Sequence, residues 1–130
     1  MLAKIAVADY MSEHVATVTP ESDVVVAIKM MLDHRITSVP VVDGGKLVGI
    51  FSEIDGMKVV VESAYNQSMT GKVGEFMCKE PVTLDANESL VDVAAKFQTT
   101  PVRSFPVFDN GELVGMISRV DVLRALVSSR

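Results

Sequence analysis

A twenty-residue stretch of this chain occurs twice, and this duplication constrains the fold more than any other feature. Residues 36–55 read ITSVPVVDGGKLVGIFSEID, and residues 102–121, at an offset of 66, read VRSFPVFDNGELVGMISRVD. Ten of these twenty aligned positions are identical without a gap. When 7–61 is aligned with 73–127, 15 of 55 positions are identical. Such a period indicates two copies of one supersecondary unit, neither of which can bury its apolar face alone.

The repeat also predicts how the 130 residues are divided. We expect a first unit with an N-terminal segment at 1–65, a polar linker at 66–72 and a second unit at 73–130. Each half is too small to bury much apolar surface by itself. A hydrophobic content of 48% favours a folded chain.

Each unit is predicted to run β-α-β-β-α, an α/β (α+β) fold with a right-handed crossover at its first helix. In the first copy we expect a strand at 16–18, a helix at 24–34, hairpin strands at 39–42 and 47–51, and a helix from Ser52. In the second copy the same pieces fall at 82–84, 90–98, 105–108, 113–117 and from Ser118. Ser22 or Asp23, and Glu88 or Ser89, are candidate N-caps of the first helices. The Gly44-Gly45 and Asn110-Gly111 pairs suit tight hairpin turns, which require positive φ.

The most specific local motif is Gly-x-x-Ser-x-x-Asp, which stands at 49–55 and again at 115–121. One interpretation is purely structural, because a serine N-cap followed by an acid three residues later resembles a capping box. The other is functional: the hydroxyl and the helix N-terminus would bind a phosphate, and the carboxylate would accept hydrogen bonds from ribose hydroxyls. In that reading the glycine lets a ligand approach the backbone closely.

Composition and the remaining motifs favour neither an enzyme nor a nucleic-acid-binding protein. The net charge of −5 lacks the basic excess that nonspecific nucleic-acid binding requires. No nucleophile can be matched with a base, the two histidines lack metal-ligand spacing, and Cys78 is interpreted as a small apolar residue. No apolar run is long enough to span a membrane and no signal peptide is visible, so we expect a cytoplasmic protein.

These motifs together resemble the CBS domain, named after cystathionine β-synthase, in the tandem form called a Bateman module. The resemblance covers about Val7 to Val127. It is carried by Val39-Pro40 and Phe105-Pro106 ahead of the hairpins, by the D-x-G-x-L-V-G hairpin, and by the motif G-h-x-S-x-x-D, where h is apolar. Serine stands where the family more often has threonine, which keeps the hydroxyl.

The resemblance implies a noncatalytic sensor whose two units are related by a pseudo-twofold axis. Two clefts between the sheets would bind adenosine compounds such as AMP, ADP, ATP or S-adenosylmethionine as regulatory ligands, with no further cofactor. The family arrangement is crossed, so each cleft combines the Ser and Asp of one unit with strand residues of the other. One cleft would thus contain Ser52, Asp55, Pro81, Val82, Arg103, Ser104 and Pro106, and the other Ser118, Asp121, Val15, Ala16, Thr37, Ser38 and Pro40.

Two function hypotheses follow. The first is a regulatory module that binds an adenine nucleotide and passes a conformational change to an effector protein. The alternative is a ligand-free structural module for dimerisation or protein interaction. Arg103, Arg119 and Lys79 are the obvious phosphate partners. The segment Val24–Leu32 is apolar almost all round, as is Val59–Val61 with Met57, so we also expect a homodimer formed through these helices.

Overall fold

The boundaries of the folded units differ from those of the sequence repeat. The computed structural model describes residues 2–13, 15–66 and 71–128. One compact unit, called the continuous unit, is Ala16–Pro81, and the other, called the split unit, combines Met1–Val15 with Val82–Arg130. The linker predicted at 66–72 lies partly outside the described residues.

The continuous unit contains a three-stranded sheet with helices before and after its hairpin. Its elements are α1 (Val24–His34), β1 (Ser38–Asp43), β2 (Lys46–Ser52), α2 (Glu53–Asn66), α3 (Val73–Phe76) and β3 (Cys78–Lys79). The strand order is β1-β2-β3, and both pairs are antiparallel. The strand predicted at 16–18 is reduced to Val18, which forms a single parallel bridge with Val41 on the other side of β1.

The split unit repeats this arrangement with elements from both ends of the chain. It begins with 3₁₀ helices at Leu2–Lys4 and Val7–Asp9, followed by β4 (Leu84–Asp85), α4 (Leu90–Thr99), β5 (Ser104–Asp109), β6 (Glu112–Ser118) and α5 (Arg119–Ser128). Strand β4 pairs parallel to β5, as a crossover through α4 requires, and β5 pairs antiparallel to β6. The open side of β6 receives Ser12, which bridges to Met116. The predicted mixed α+β class with two repeated units is confirmed.

The predicted hairpins are also confirmed, and each strand extends one residue beyond both of its expected ends. Gly44 and Gly45 have φ values of 58° and 79°, and Asn110 and Gly111 have 51° and 81°. Positive φ at both central residues gives a hairpin turn whose twist matches that of the strands.

The structure decides between the alternative caps of the first helices. Asp23 caps α1 by accepting a hydrogen bond from the Val25 N–H at 2.8 Å, and Ser89 caps α4 by accepting one from the Asp92 N–H at 3.2 Å. Glu88 instead accepts from the Asp85 N–H at 2.8 Å and pairs with Lys96.

The short segment at the start of each repeat packs into the unit that contains most of the other repeat. Val7, from the start of the first copy, is fully buried in the core formed around α4, β5 and β6, and its N–H donates to Glu88 O at 2.9 Å. Val73 is its equivalent at the offset of 66, lies fully buried in the core around α1, β1 and β2, and donates to Ser22 O at 2.8 Å. Burial of these two valines explains why units and repeats have different boundaries.

A substitution at Val7 tests this exchange. Val7→Ala should lower the free energy of unfolding by about 2 kcal/mol, because it leaves a cavity in a closed core. The matched control is Val91→Ala on α4, where the side chain is 46% exposed rather than 0% and the change should be within about 0.5 kcal/mol. Urea denaturation measures the stability of both variants, and equal unfolding midpoints for the two would contradict the placement of the N-terminal segment.

Candidate functional site

In both units the last strand of the hairpin leads directly into a helix, and the predicted serines lie at this junction. Ser38 is paired with Ser52 at the end of the β1–β2 hairpin, and Ser104 is paired with Ser118 at the end of β5–β6. Ser38 is therefore equivalent to Ser104, and Ser52 to Ser118, so each unit has one such pair of serines. Ser38 and Ser104 are buried, whereas Ser52 and Ser118 are half-buried.

One further backbone hydrogen bond fastens each helix start to the strand beside it. The Glu53 N–H donates to Thr37 O at 3.0 Å, and the Arg119 N–H donates to Arg103 O at 3.3 Å. The antiparallel register thus continues one residue past the hairpin, so Thr37 lies opposite Glu53 and Arg103 lies opposite Arg119.

The two predicted aspartates close back onto their serines. Asp55 Oδ2 accepts hydrogen bonds from the Ser52 N–H at 2.8 Å and from Ser52 Oγ at 3.1 Å. Asp121 Oδ2 accepts from the Ser118 N–H at 2.9 Å, and Ser118 Oγ accepts from the Asp121 N–H at 3.2 Å. The capping box is therefore confirmed as a reciprocal pair in the second copy, whereas the first copy shows the bond from the Ser52 N–H to Asp55 and a Ser52 hydroxyl that donates to the same carboxylate.

Capping does not exhaust the acceptor capacity of these carboxylates, because an ionised carboxylate has about four lone-pair sites. The second oxygen of Asp55 lies 3.7 Å from Lys58 Nζ, and that of Asp121 lies 2.9 Å from an Arg124 nitrogen. The Asp55 side chain is 7% exposed and that of Asp121 is 15% exposed. Both can accept further hydrogen bonds from hydroxyl groups, and Asp121 is the more accessible.

The other predicted site residues are divided equally between the two units. Pro40 and Pro106 lie at equivalent buried strand positions, opposite Ile50 and Met116. The chain passes from one unit to the other between Val15 and Ala16 and again between Pro81 and Val82. The continuous unit holds Ala16, Thr37, Ser38, Pro40, Ser52, Asp55 and Pro81, and the split unit holds Val15, Val82, Arg103, Ser104, Pro106, Ser118 and Asp121. The crossed grouping combines residues of both units and stays a prediction.

The functional interpretation of the two glycines is wrong. A Cβ on Gly49 would lie 2.7 Å from both Cys78 O and Met77 Sδ, and one on Gly115 would lie 2.7 Å from Ser12 O and 2.6 Å from Met11 Sδ. The close approach that these glycines allow is therefore that of the chain itself. Sequence reasoning missed this because Cys78 and Ser12 are distant in sequence from the strands they pair with.

The Arg119 side chain packs on an aromatic ring, a contact that its position in the sequence does not indicate. Its guanidinium carbon lies 5.8 Å from the centroid of the Phe97 ring. The Phe97 ring in turn packs against the Phe105 ring, with the two centroids 4.5 Å apart and the rings tilted by 37°. At the equivalent position the continuous unit has Glu53. Aligning the two copies at the offset of 66 shows this charge difference in the sequence. The contact with Phe97 has no sequence motif, because it depends on how α4 packs.

The described parts of the chain hold neither a cluster of metal ligands nor a helix that could span a membrane. Residues 2–13, 15–66 and 71–128 contain no group of three or more His, Cys, Asp or Glu side chains placed to hold a metal ion. Over the same residues no helix is both long and apolar enough to cross a membrane.

Comparison with known proteins gives matches over nearly the whole chain. The family model of the CBS domain matches twice, at residues 7–62 and 73–128. CBS domain-containing protein YhcV of Bacillus subtilis is 30% identical over 118 residues, which cover 90% of this chain and 82% of that protein. A CBS domain-containing protein of Dictyostelium discoideum is 30% identical over 135 residues, with coverage of 95% and 92%.

Solved structures also match over nearly the whole chain. The CBS domain pair of protein MJ0100, in complex with 5′-methylthioadenosine and S-adenosyl-L-methionine, has a TM-score of 0.85 at 26% identity and covers 97% of this chain and 98% of its own. CBSX2 of Arabidopsis thaliana, in complex with AMP, has a TM-score of 0.82 at 26% identity, with coverage of 95% and 97%.

The role of Gly49 can be tested against a second glycine of the same unit. Gly49→Ala should lower the free energy of unfolding by about 1 to 3 kcal/mol, since the new methyl group overlaps the backbone of β3. Gly56→Ala in α2 should raise it by about 0.5 to 1 kcal/mol, because its Cβ would meet only Ile28 at 3.8 Å. Chemical denaturation compares the two. If Gly49→Ala is as stable as the wild type, β3 does not lie against this glycine.

Proposed function

Since the chain belongs to the CBS domain family as a tandem pair of these domains, we propose that it is a noncatalytic regulatory module that binds an adenosine-type ligand. AMP, ADP, ATP and S-adenosylmethionine are the candidate ligands. The observation that carries this proposal is the duplicated hairpin–helix junction, with serine and aspartate at the same two positions in each unit. We further propose that the module acts in the cytoplasm on an effector protein.

The chemistry of the junction fits such a ligand. Hydroxyl and backbone donors at a helix N-terminus suit a phosphate, and a carboxylate suits the two adjacent hydroxyls of a ribose. The solved structures of MJ0100 and CBSX2 contain 5′-methylthioadenosine, S-adenosyl-L-methionine and AMP. An adenosine moiety is common to all three, and it supports that ligand class for this chain.

A ligand-free interaction module is the alternative function, and one observation favours it. Asp55 is almost buried and already accepts two hydrogen bonds from Ser52. An aspartate used only as a cap would look the same.

A homodimer is compatible with either function. Val24 and Val59 face the core, but large apolar side chains on the same helices are exposed. They are Val25, Val26 and Leu32 on α1, and Ile54, Met57, Val60 and Val61 on α2. Helix α5 exposes the equivalents of the α2 residues, Val120, Leu123, Leu126 and Val127. An apolar surface on matching helices favours association with a second copy.

A thermal-shift screen tests ligand binding. A ligand that binds only the native state adds roughly 2.7 kcal/mol when present at about 100 times its Kd, which should raise Tm by several degrees. AMP, ADP, ATP, S-adenosylmethionine and NAD form the screen. Flat shifts together with no calorimetric heat would favour the ligand-free module.

Single aspartate variants separate a ligand role from a capping role. Asp55→Ala and Asp121→Ala should each lower the ligand affinity of the cleft that the aspartate serves by roughly tenfold to a hundredfold, because hydrogen bonds to a charged group are lost. We expect Asp55 to serve the tighter cleft for phosphorylated ligands, the one with Arg103. The control is Asp23→Ala, which removes a cap of α1 and should cost about 1 kcal/mol of stability without changing affinity.

Isothermal titration with AMP distinguishes the outcomes. If Asp121→Ala abolishes binding and Asp55→Ala does not, the order of the clefts is reversed. If both bind like the wild type, neither carboxylate contacts the ribose.

Sedimentation tests the dimer. The wild type should sediment as a dimer at micromolar concentration, and Leu123→Glu should shift it to the monomer, because a charge is placed on the exposed face of α5. Val91→Glu introduces the same charge on the exposed face of α4 and should leave the dimer intact. A monomeric wild type would disprove this association.

A further inference from the structure

In each unit a methionine sulfur lies against the glycine of the last hairpin strand. A Cβ on Gly49 would lie 2.7 Å from Met77 Sδ, and one on Gly115 would lie 2.6 Å from Met11 Sδ. Met11 and Met77 occupy equivalent positions at the repeat offset of 66. The thioether thus fills, in both copies, the space that a larger side chain on the strand would need.

Each methionine belongs to the short segment that closes a core, which we call the edge segment (7–12 in the split unit and 73–79 in the continuous unit). Met77 packs against the core around α1, β1 and β2, and Met11 packs against the core around α4, β5 and β6. The Met77 N–H donates to Val73 O at 2.9 Å, and the Met11 N–H donates to Val7 O at 3.0 Å. Displacement of the methionine would therefore disturb the turn that places the buried valine in its core.

The two methionines are open to chemical attack. Both are half-buried, whereas Met31 is only 6% exposed, so a small oxidant can reach Met11 and Met77. A peroxide converts a thioether to the sulfoxide. The sulfur lone pair attacks one peroxide oxygen, the O–O bond breaks, and the departing hydroxide takes the proton of the transferred oxygen to leave as water. Sulfur is oxidised by two electrons and hydrogen peroxide is reduced by two.

A sulfoxide fits these positions less well than a thioether. Its oxygen requires hydrogen-bond donors that an apolar core lacks, so the side chain must turn towards water. That movement takes the sulfur away from the glycine and leaves a gap between the strand and the edge segment.

We propose that Met11 and Met77 are oxidant-sensitive modification sites, one in each unit, at which a peroxide loosens the edge segment by forming methionine sulfoxide. The modification is reversible, because reductases return the sulfoxide to the thioether. These sites are distinct from the proposed ligand site, since they act on the segments that hold Val7 and Val73 and not on a ligand.

Treatment of matched variants with hydrogen peroxide tests this proposal. In the treated protein, peptide mass spectrometry should find sulfoxide at residues 11 and 77, and Tm should fall by about 4 °C or more. The double variant Met11→Leu/Met77→Leu keeps side chains of similar volume, and peroxide should leave its own Tm unchanged. Met57→Leu is the matched control, because it removes a methionine that is 63% exposed and should keep the full response.

Two further steps assign the effect to the methionines. All variants carry Cys78→Ser, which excludes thiol oxidation and introduces the residue that the other copy has at its equivalent, Ser12. The two stereospecific methionine sulfoxide reductases, supplied with a thiol, should restore the Tm of the oxidised protein.

Several results would overturn the proposal. One is sulfoxide at Met57 with none at residues 11 and 77, and another is sulfoxide at both positions with an unchanged Tm. A double leucine variant that loses as much Tm as its parent would place the damage elsewhere. So would a Tm that stays low after complete reduction, a result that needs no leucine variant.

Discussion

Both sheets depend on a short stretch of chain that reaches the outer edge of the hairpin and lies directly on a glycine. Cys78 pairs with Ile50 beside Gly49, and Ser12 pairs with Met116 beside Gly115. This pairing covers the edge of β2 and β6 and holds Val73 and Val7 in their cores. Any side chain larger than hydrogen at these glycines would occupy the space of the incoming backbone. In each unit the core, the sheet and the hairpin–helix junction are therefore assembled around one close backbone contact.

The junctions combine structure and candidate chemistry in the same atoms. Each aspartate holds the first turn of its helix to the preceding strand through serine, and the same carboxylate is the proposed ribose acceptor. A ligand bound there would contact the point at which α2 or α5 begins. Those two helices also carry several of the exposed apolar residues. The proposed ligand contacts and the proposed partner contacts would thus lie on single continuous elements, which is the arrangement that a regulatory module needs.

The sequence predicted those parts of the structure that depend on local patterns. Hairpin strands, turns and helices followed from alternation, from Asn110-Gly111 and Gly44-Gly45, and from capping residues within a few positions. The candidate serines and aspartates were found because the repeat places them twice. The exchange of the segments around Val7 and Val73 was not predicted, since it depends on contacts between distant residues. The role of Gly49 was misread for the same reason, and the Phe97–Arg119 contact required the packing of α4.

The division into a continuous and a split unit also determines when each can form during synthesis. Chains are made from the N-terminus, and domains fold as their residues become available. Every residue of the continuous unit has been added once Pro81 is in place, so this unit can fold early. Val7 and its neighbours precede the continuous unit in the chain, yet they have no core to enter until β6 and α5 have been synthesised. They are therefore buried only after residues far downstream have been added, and the split unit reaches its native state only when its two segments meet.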